Sequence, residues 1–351
     1  MKFKHSVLTL SAVMSLSLIA GCSSSESKPD ASGNNNSVGK DDSSEPKASE
    51  LLSAVKDAKD DDAALEAWNT LLLNSASSTG YNFELETDGE DYAYYNDDAE
   101  GNVDRDEVYE IGTEGWFISE GEEDSYALNL TSIDGSDDNY LEGFGTIDYI
   151  NPDGIMLTVK LSDTELKDFQ GTVESITNNG GDMSNITRDD AALNLMMDSM
   201  ANVGYQVNVD PFHNSSLYTI DVKQDGDSWV LSAKVKDPQT YIQAASNKAL
   251  LYANRTNRPS LGIDELKDES WEFRFTSEGV LKEVMTNIDH VIYKPNADAT
   301  QGNPTYLSIL NKTEFKKADE SELDVQGIKD LCKSAKDGSL KEGSEFHLED
   351  K

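Results

Sequence analysis

The sequence predicts an α+β fold made of two repeated lobes, each a helix packed on a curved antiparallel β meander. Three observations predict it. First, Asp61-Asp62-Ala63-Ala64-Leu65 recurs as Asp189-Asp190-Ala191-Ala192-Leu193. Each copy opens an apolar stretch at helical spacing: Leu65, Trp68, Leu71 and Leu72, then Leu193, Met196, Met197 and Met200. Second, each helix is followed by Gly-Tyr and an alternating strand, Gly80–Leu85 and Gly204–Val209. Third, the rest of each lobe is a run of short alternating segments joined by turn signals.

The repeat continues beyond its first anchors. Gly115-Trp116-Phe117-Ile118-Ser119 parallels Ser228-Trp229-Val230-Leu231-Ser232, and Leu157–Lys167 parallels Leu307–Lys316. The anchors keep their order at offsets of 128, 124, 113 and 149 residues, the pattern of a duplication with insertions and deletions.

Residues 1–21 read as an export signal. Met1 to His5 is basic, and Val7 to Ile19 is apolar but too short to span a bilayer. The segment ends in Leu18-Ile19-Ala20-Gly21-Cys22, which resembles the lipobox of bacterial lipoproteins. That resemblance implies cleavage before Cys22, lipidation of its sulfur, and lasting attachment to the outer face of a cell membrane or to an outer membrane. Several acyl chains hold where one holds only marginally. Residues 22–50 form a polar tether, rich in Ser, Asn, Gly and Pro, that cannot bury enough surface to offset its ordering entropy.

Lobe one is expected over 51–180. Its Asp pair suits the positive end of a helix. Strand signals follow at Tyr92–Tyr95, Val108–Ile111, Trp116–Ser119, Tyr126–Leu130, Gly145–Ile150 and Met156–Leu161, with a turn at Asn151-Pro152-Asp153-Gly154. Lobe two, over 181–322, has strand signals at Leu217–Val222, Trp229–Val235, Glu272–Thr276, Leu281–Tyr293 and Tyr306–Leu310. Its extra segment, Pro238 to Asp268, carries Tyr241, Ile242, Ala245, Ala249 and Tyr252 at helical spacing, ends in Arg255-x-x-Arg258-Pro259, and suits a lid helix across the sheet. Residues 323–351 are expected as a helix and a polar tail. Cys332 falls on the apolar side of that helix, as a small buried residue.

The order of lipobox, tether, helix and broad meander resembles the LolA/LppX-like lipoproteins over residues 50–320. Glu272-Phe273-Arg274-Phe275-x-x-Glu278-Gly279-x-Leu281 is the stretch most similar to them. The resemblance implies a half-barrel sheet closed by helices, an apolar cavity for lipid, and no catalytic residues. The duplication departs from that single half-barrel. Trp229, Trp271, Phe273 and Phe275 are the residues that would line such a cavity, and they equally suit a sheet core.

The charge excludes some functions. With 29 Lys+Arg against 67 Asp+Glu the net charge is −38, moving to −40 once Lys2 and Lys4 are removed. A chain so acidic has no basic stripe for nucleic acid and no basic face for anionic lipid. Residues 84–124 hold 17 of the acidic residues and one basic residue, Arg105. Within them, Asn96, Asp98, Glu100, Asn102, Asp104 and Glu107 follow the spacing of a calcium loop, with Gly101 at the turn and Glu107 at the closing twelfth position. Asn96 replaces the usual Asp and the flanks read as strands, so an acidic hairpin tip turning at Glu100-Gly101-Asn102 fits equally.

Signs of catalysis are few. His213, His290 and His347 are scattered, and no nucleophile elbow, phosphate loop or dinucleotide fingerprint occurs. Carboxylates abound, so glycoside hydrolysis stays open on sequence alone. The sequence thus points to a non-enzymatic, lipid-anchored envelope binding module carrying a lipid or apolar ligand. The alternative is a structural or protein-interaction lipoprotein with an acidic, calcium-binding surface.

Overall fold

The structure is a computed structural model and describes residues 48–96, 104–121, 124–135, 140–151, 154–162, 169–178, 186–201, 209–256, 262–294, 303–319 and 323–348. Cys22, the export signal and nearly all of the tether lie outside the described residues. The last tether residues, Ala48 to Glu50, already belong to a helix.

Helices α1 (Ala48–Lys56) and α2 (Asp61–Ser78) lead into β1 (Asn82–Asn96), β2 (Asp104–Glu120), β3 (Asp124–Gly135), β4 (Tyr140–Asn151), β5 (Ile155–Leu161) and β6 (Phe169–Asn178). Then come α3 (Arg188–Ala201), β7 (Tyr218–Asp225), β8 (Ser228–Val235), α4 (Pro238–Thr256), β9 (Gly262–Phe275), β10 (Leu281–Lys294) and β11 (Asn303–Lys317). The chain closes with α5 (Val325–Lys336) and β12 (Glu345–Leu348).

The strands form one antiparallel sheet in the order β12-β6-β5-β4-β3-β2-β1-β11-β10-β9-β8-β7. At about 4.8 Å per strand it is about 53 Å wide. The ranges expected as separate lobes therefore contribute adjacent blocks of a single sheet, joined where β1 pairs with β11. What holds is the α+β class, with helices packed on an extensive antiparallel sheet.

Alternation assigns the two faces. Phe83, Leu85, Phe117, Phe273, Val284, Ile309 and Phe315 belong to a core under α1–α4, here called the helix face. Trp116, Leu128, Ile147, Leu157 and Val173 belong to a second core on the far face, covered by Ile328 and Cys332 of α5. The tail expected to be polar instead adds β12 to β6, burying Phe346 and Leu348.

Each repeated helix covers strands of the other block. Trp68 of α2 stacks at 4.8 Å on Phe273 of β9, and the Leu281 amide donates to Ser75 Oγ at 2.8 Å. In turn α3 lies against β2 and β3, with a Cβ on Gly115 falling 2.8 Å from Ser199 Oγ. This departs from the expected helix on its own meander. The chain must travel from β6 at one side of the sheet to β7 at the other, so α3 crosses the first block on the way.

The two Asp pairs cap differently. Asp60 caps α2 by accepting from the Ala63 amide, whereas Asp61 accepts from the Ser216 amide and hydroxyl. On α3, Thr187 and Asp190 form a reciprocal capping box.

Candidate functional site

Three of the four aromatics expected around a cavity are fully buried, and Trp229 is half-buried. Their space is filled from the helix side. Phe212 lies 5.6 Å from Phe273 and 6.2 Å from Trp271, edge to face. Trp68 sits on Phe273 and donates its indole N–H to the Pro211 carbonyl at 3.1 Å. Phe273 thus seats α2, and Trp271 borders a different environment.

That environment spans two neighbouring ladder rows of the helix face. One row reads Ile111, Gly89, Asn311, Thr286, Trp271. The next reads Tyr109, Asp91, Ile309, Ile288, Glu269. Asp91 is 0% exposed and Glu269 is 1% exposed, about 14 Å apart by strand spacing. Thr286 and Asn311, also buried, lie between them.

The two carboxyls are served unequally. Glu269 Oε1 accepts from the Trp271 indole N–H at 2.9 Å and from the Tyr218 hydroxyl at 2.6 Å. Tyr218 also donates to the Val209 carbonyl. One hydroxyl proton cannot serve both acceptors, so a neutral Glu269 that donates back from Oε1 satisfies Tyr218 and the Val209 carbonyl, while Glu269 Oε2 has no partner among the described residues. Burial pushes its carboxyl up to about 7, against the opposing pull of hydrogen bonds from Trp271, Tyr218 and Tyr241.

Asp91 has no such neighbours. Among the described residues neither of its carboxyl oxygens has a hydrogen-bond partner, and neither does Asn311 Oδ1. Burial alone pushes Asp91 up to about 7. Asn311 reaches over β1 because position 89 is glycine: a Cβ there would overlap Asn311 Oδ1. Three buried acceptor oxygens therefore collect on the β1–β11 ladder among Ile111, Ile288 and Ile309. Leaving such a group unsatisfied costs about 1–3 kcal/mol.

Two half-buried acids lie further along the same face. Asp148 and Asp198 are each raised to about 7 by burial, Asp198 against the attraction of His213. The far face is different in kind. Beyond α5 it carries ion pairs: Arg274 with Glu272, Glu283 and Asp225, Lys312 with Glu283, and Lys316 with Glu84 and Glu86.

In the calcium-loop pattern, Asp98, Glu100 and Asn102 lie outside the described residues. The flanking strands are described. Asn96 pairs with Asp104, whereas Glu107 pairs with Ala93. Three ladder positions, on the order of 10 Å, separate the first and twelfth loop positions along the strand. Among the described residues no group of three or more His, Cys, Asp or Glu is placed to hold a metal. His213, His290 and His347 fall in a turn, β10 and β12 respectively.

Cys332 is buried in α5, and burial then the Asp148 charge push its thiol up to about 12. That suits packing rather than nucleophilic chemistry.

Asp91 was legible by parity. Glu84, Glu86, Asp88 and Glu90 alternate on the far face, and Asp91 breaks the alternation to join Phe83, Leu85, Thr87 and Gly89. A run of 17 acidic residues hides that single change of phase. No described helix is long and apolar enough to cross a membrane. No protein-family model and no curated protein matches this sequence.

Proposed function

We propose that this chain is a lipid-anchored lipoprotein of the cell envelope, held through Cys22, whose helix-covered sheet face binds a lipid or apolar ligand without catalysis. The observation that carries this reading is the pair of buried rows between Asp91 and Glu269, where both Asp91 oxygens, Asn311 Oδ1 and Glu269 Oε2 lack a protein partner among the described residues, inside an apolar surround. Proteins keep buried polar groups bonded, so an unbonded set marks a place that something else fills. The broad antiparallel sheet under several helices is in keeping with the resemblance to LolA/LppX-like carriers. A tandem duplication fits as well: both blocks run in the same order, first strand outermost in one and joined to the last strand of the other.

The reading is tested on mature protein isolated from its envelope without denaturant. Organic extraction followed by mass spectrometry is expected to release a lipid or other amphiphile in near-stoichiometric amount. A folded protein that yields nothing overturns the carrier reading. The same sample reports the anchor: an N-terminal peptide starting at Cys22 with acyl mass supports it, and an unmodified Cys22 removes it.

A second reading, contact with cations or basic proteins through the acidic surface, is favoured by the far-face carboxylates around Lys316. Burial raises Glu114 to about 7 beside Glu84 and Glu86. For the Asn96–Glu107 loop the probe is calcium itself. Heat on calcium titration that disappears in Glu107→Ala supports calcium as a ligand. Absent or equal heat in the two proteins removes it.

A further inference from the structure

We infer that Asp91 and Asn311 seat a positively charged hydrogen-bond donor, an ammonium group, on a ligand whose apolar part runs along Ile111, Ile288 and Ile309. The inference rests on the carrier reading above and names the chemistry of its ligand's head.

Both Asp91 oxygens and Asn311 Oδ1 accept hydrogen bonds, and among the described residues nothing donates to them. Their complement is a group with several donors and no acceptor, which describes an ammonium. A hydroxyl offers one donor and leaves the Asp91 charge uncompensated in an apolar surround. A bare calcium ion needs six to eight oxygens, roughly twice what this corner supplies. Shape agrees with charge. Gly89 clears the space into which the Asn311 carboxamide leans, so the Asn311 oxygen sits on the strand that carries Asp91. The surrounding isoleucines exclude water, which strengthens an ion pair formed there.

Two amphiphiles of equal chain length separate the possibilities: octylammonium and octanol, titrated into the full mature chain at pH 8. Trp271 shares the ladder row of Asn311, so tryptophan fluorescence and calorimetry both report. Roughly 1 M salt shrinks the Debye length to about 3 Å and suppresses adsorption of the cation to the acidic surface. The expected result is at least about ten-fold tighter binding of octylammonium than of octanol, the scale of one charge-assisted hydrogen bond. In Asp91→Asn that preference disappears while octanol affinity is unchanged. Asp91→Leu serves as a second variant, and thermal melts confirm that each is folded. Equal affinity for both probes in the native protein, or a preference that survives Asp91→Asn, overturns the ammonium seat and leaves the carrier reading standing. Binding of neither probe to the native protein overturns both.

Discussion

Glu269 and Asp91 stand three strands apart in one ladder row, both buried and both raised to about 7 by burial, yet among the described residues only Glu269 has protein donors. Glu269 is wired into its surroundings through Trp271 and Tyr218. Among the described residues, neither Asp91 oxygen nor Asn311 Oδ1 is. The contrast separates two uses of a buried acid. An acid with protein donors, as Glu269 has on Oε1 although its Oε2 lacks a partner among the described residues, fixes the packing of the strands and helix around it. An unsatisfied one subtracts from stability and persists where it meets something the folded chain does not itself contain.

The largest effect should follow from breaking the wired end. Glu269→Leu leaves the Trp271 N–H without its acceptor and the Tyr218 hydroxyl with one partner fewer. It is expected to cost about 2–4 kcal/mol in denaturant unfolding. A loss below about 1 kcal/mol would erase the distinction between the two acids. At the other end the sign reverses. Asp91→Leu should stabilise the ligand-free protein by about 1–3 kcal/mol, because an apolar side chain replaces an unbonded carboxyl. A destabilised Asp91→Leu would mean that Asp91 has structural work of its own.

Acidity sharpens the comparison. The folded-state value of Asp91, about 7, lies above its ordinary 3.8, so the folded protein holds the proton more tightly. Its contribution is fully present below about pH 4 and is lost as pH rises toward 7. In that window Asp91 alone steepens the fall by up to about 1.4 kcal/mol per pH unit. Stability measured against pH should therefore be flatter in Asp91→Asn than in the native protein. Parallel curves would place the titration elsewhere, on Glu269, Asp148 or Asp198.

A subtler change tests the corner itself. Gly89→Ala puts a Cβ where Asn311 Oδ1 now lies and must push the carboxamide aside. It should cost about 1 kcal/mol of stability. A neutral Gly89→Ala would show that Asn311 leans away from β1. The smallest effect belongs to the far face. Cys332, buried under α5 with its thiol raised to about 12, should resist thiol reagents at pH 8 until the protein unfolds. Rapid labelling of folded protein would show that α5 lifts from the sheet.

Much of this was open to reading in the sequence, and what escaped has physical causes. Period-two alternation marked most strands, but β1 and β2 each read as two short segments and the start of β9 fell within the Pro238–Asp268 segment expected as a lid. β6 was missed because Gly171 replaces an apolar residue and a bulge between Thr158 and Val159 shifts the pairing of Val173 and Ile176. β12 offers only Phe346 and Leu348, too short a period to register. The crossing of α2 and α3 between blocks is a matter of strand order, which local pattern does not encode. The aromatic residues were found as a set, but their partners Trp68 and Phe212 lie about 60 to 200 residues away in sequence. Asp91 was hidden by its acidic neighbours, although its parity distinguishes it from them.

In the proposed reading the helix face holds a ligand at its unsatisfied end. Native mass spectrometry of envelope-isolated protein, compared with Asp91→Leu prepared in parallel, addresses it most directly. A discrete adduct is expected on the native protein and is absent or sharply reduced on the variant, with the variant more stable to heat. Identical, adduct-free masses for both proteins would contradict it and leave Asp91 an unsatisfied acid in a solid core.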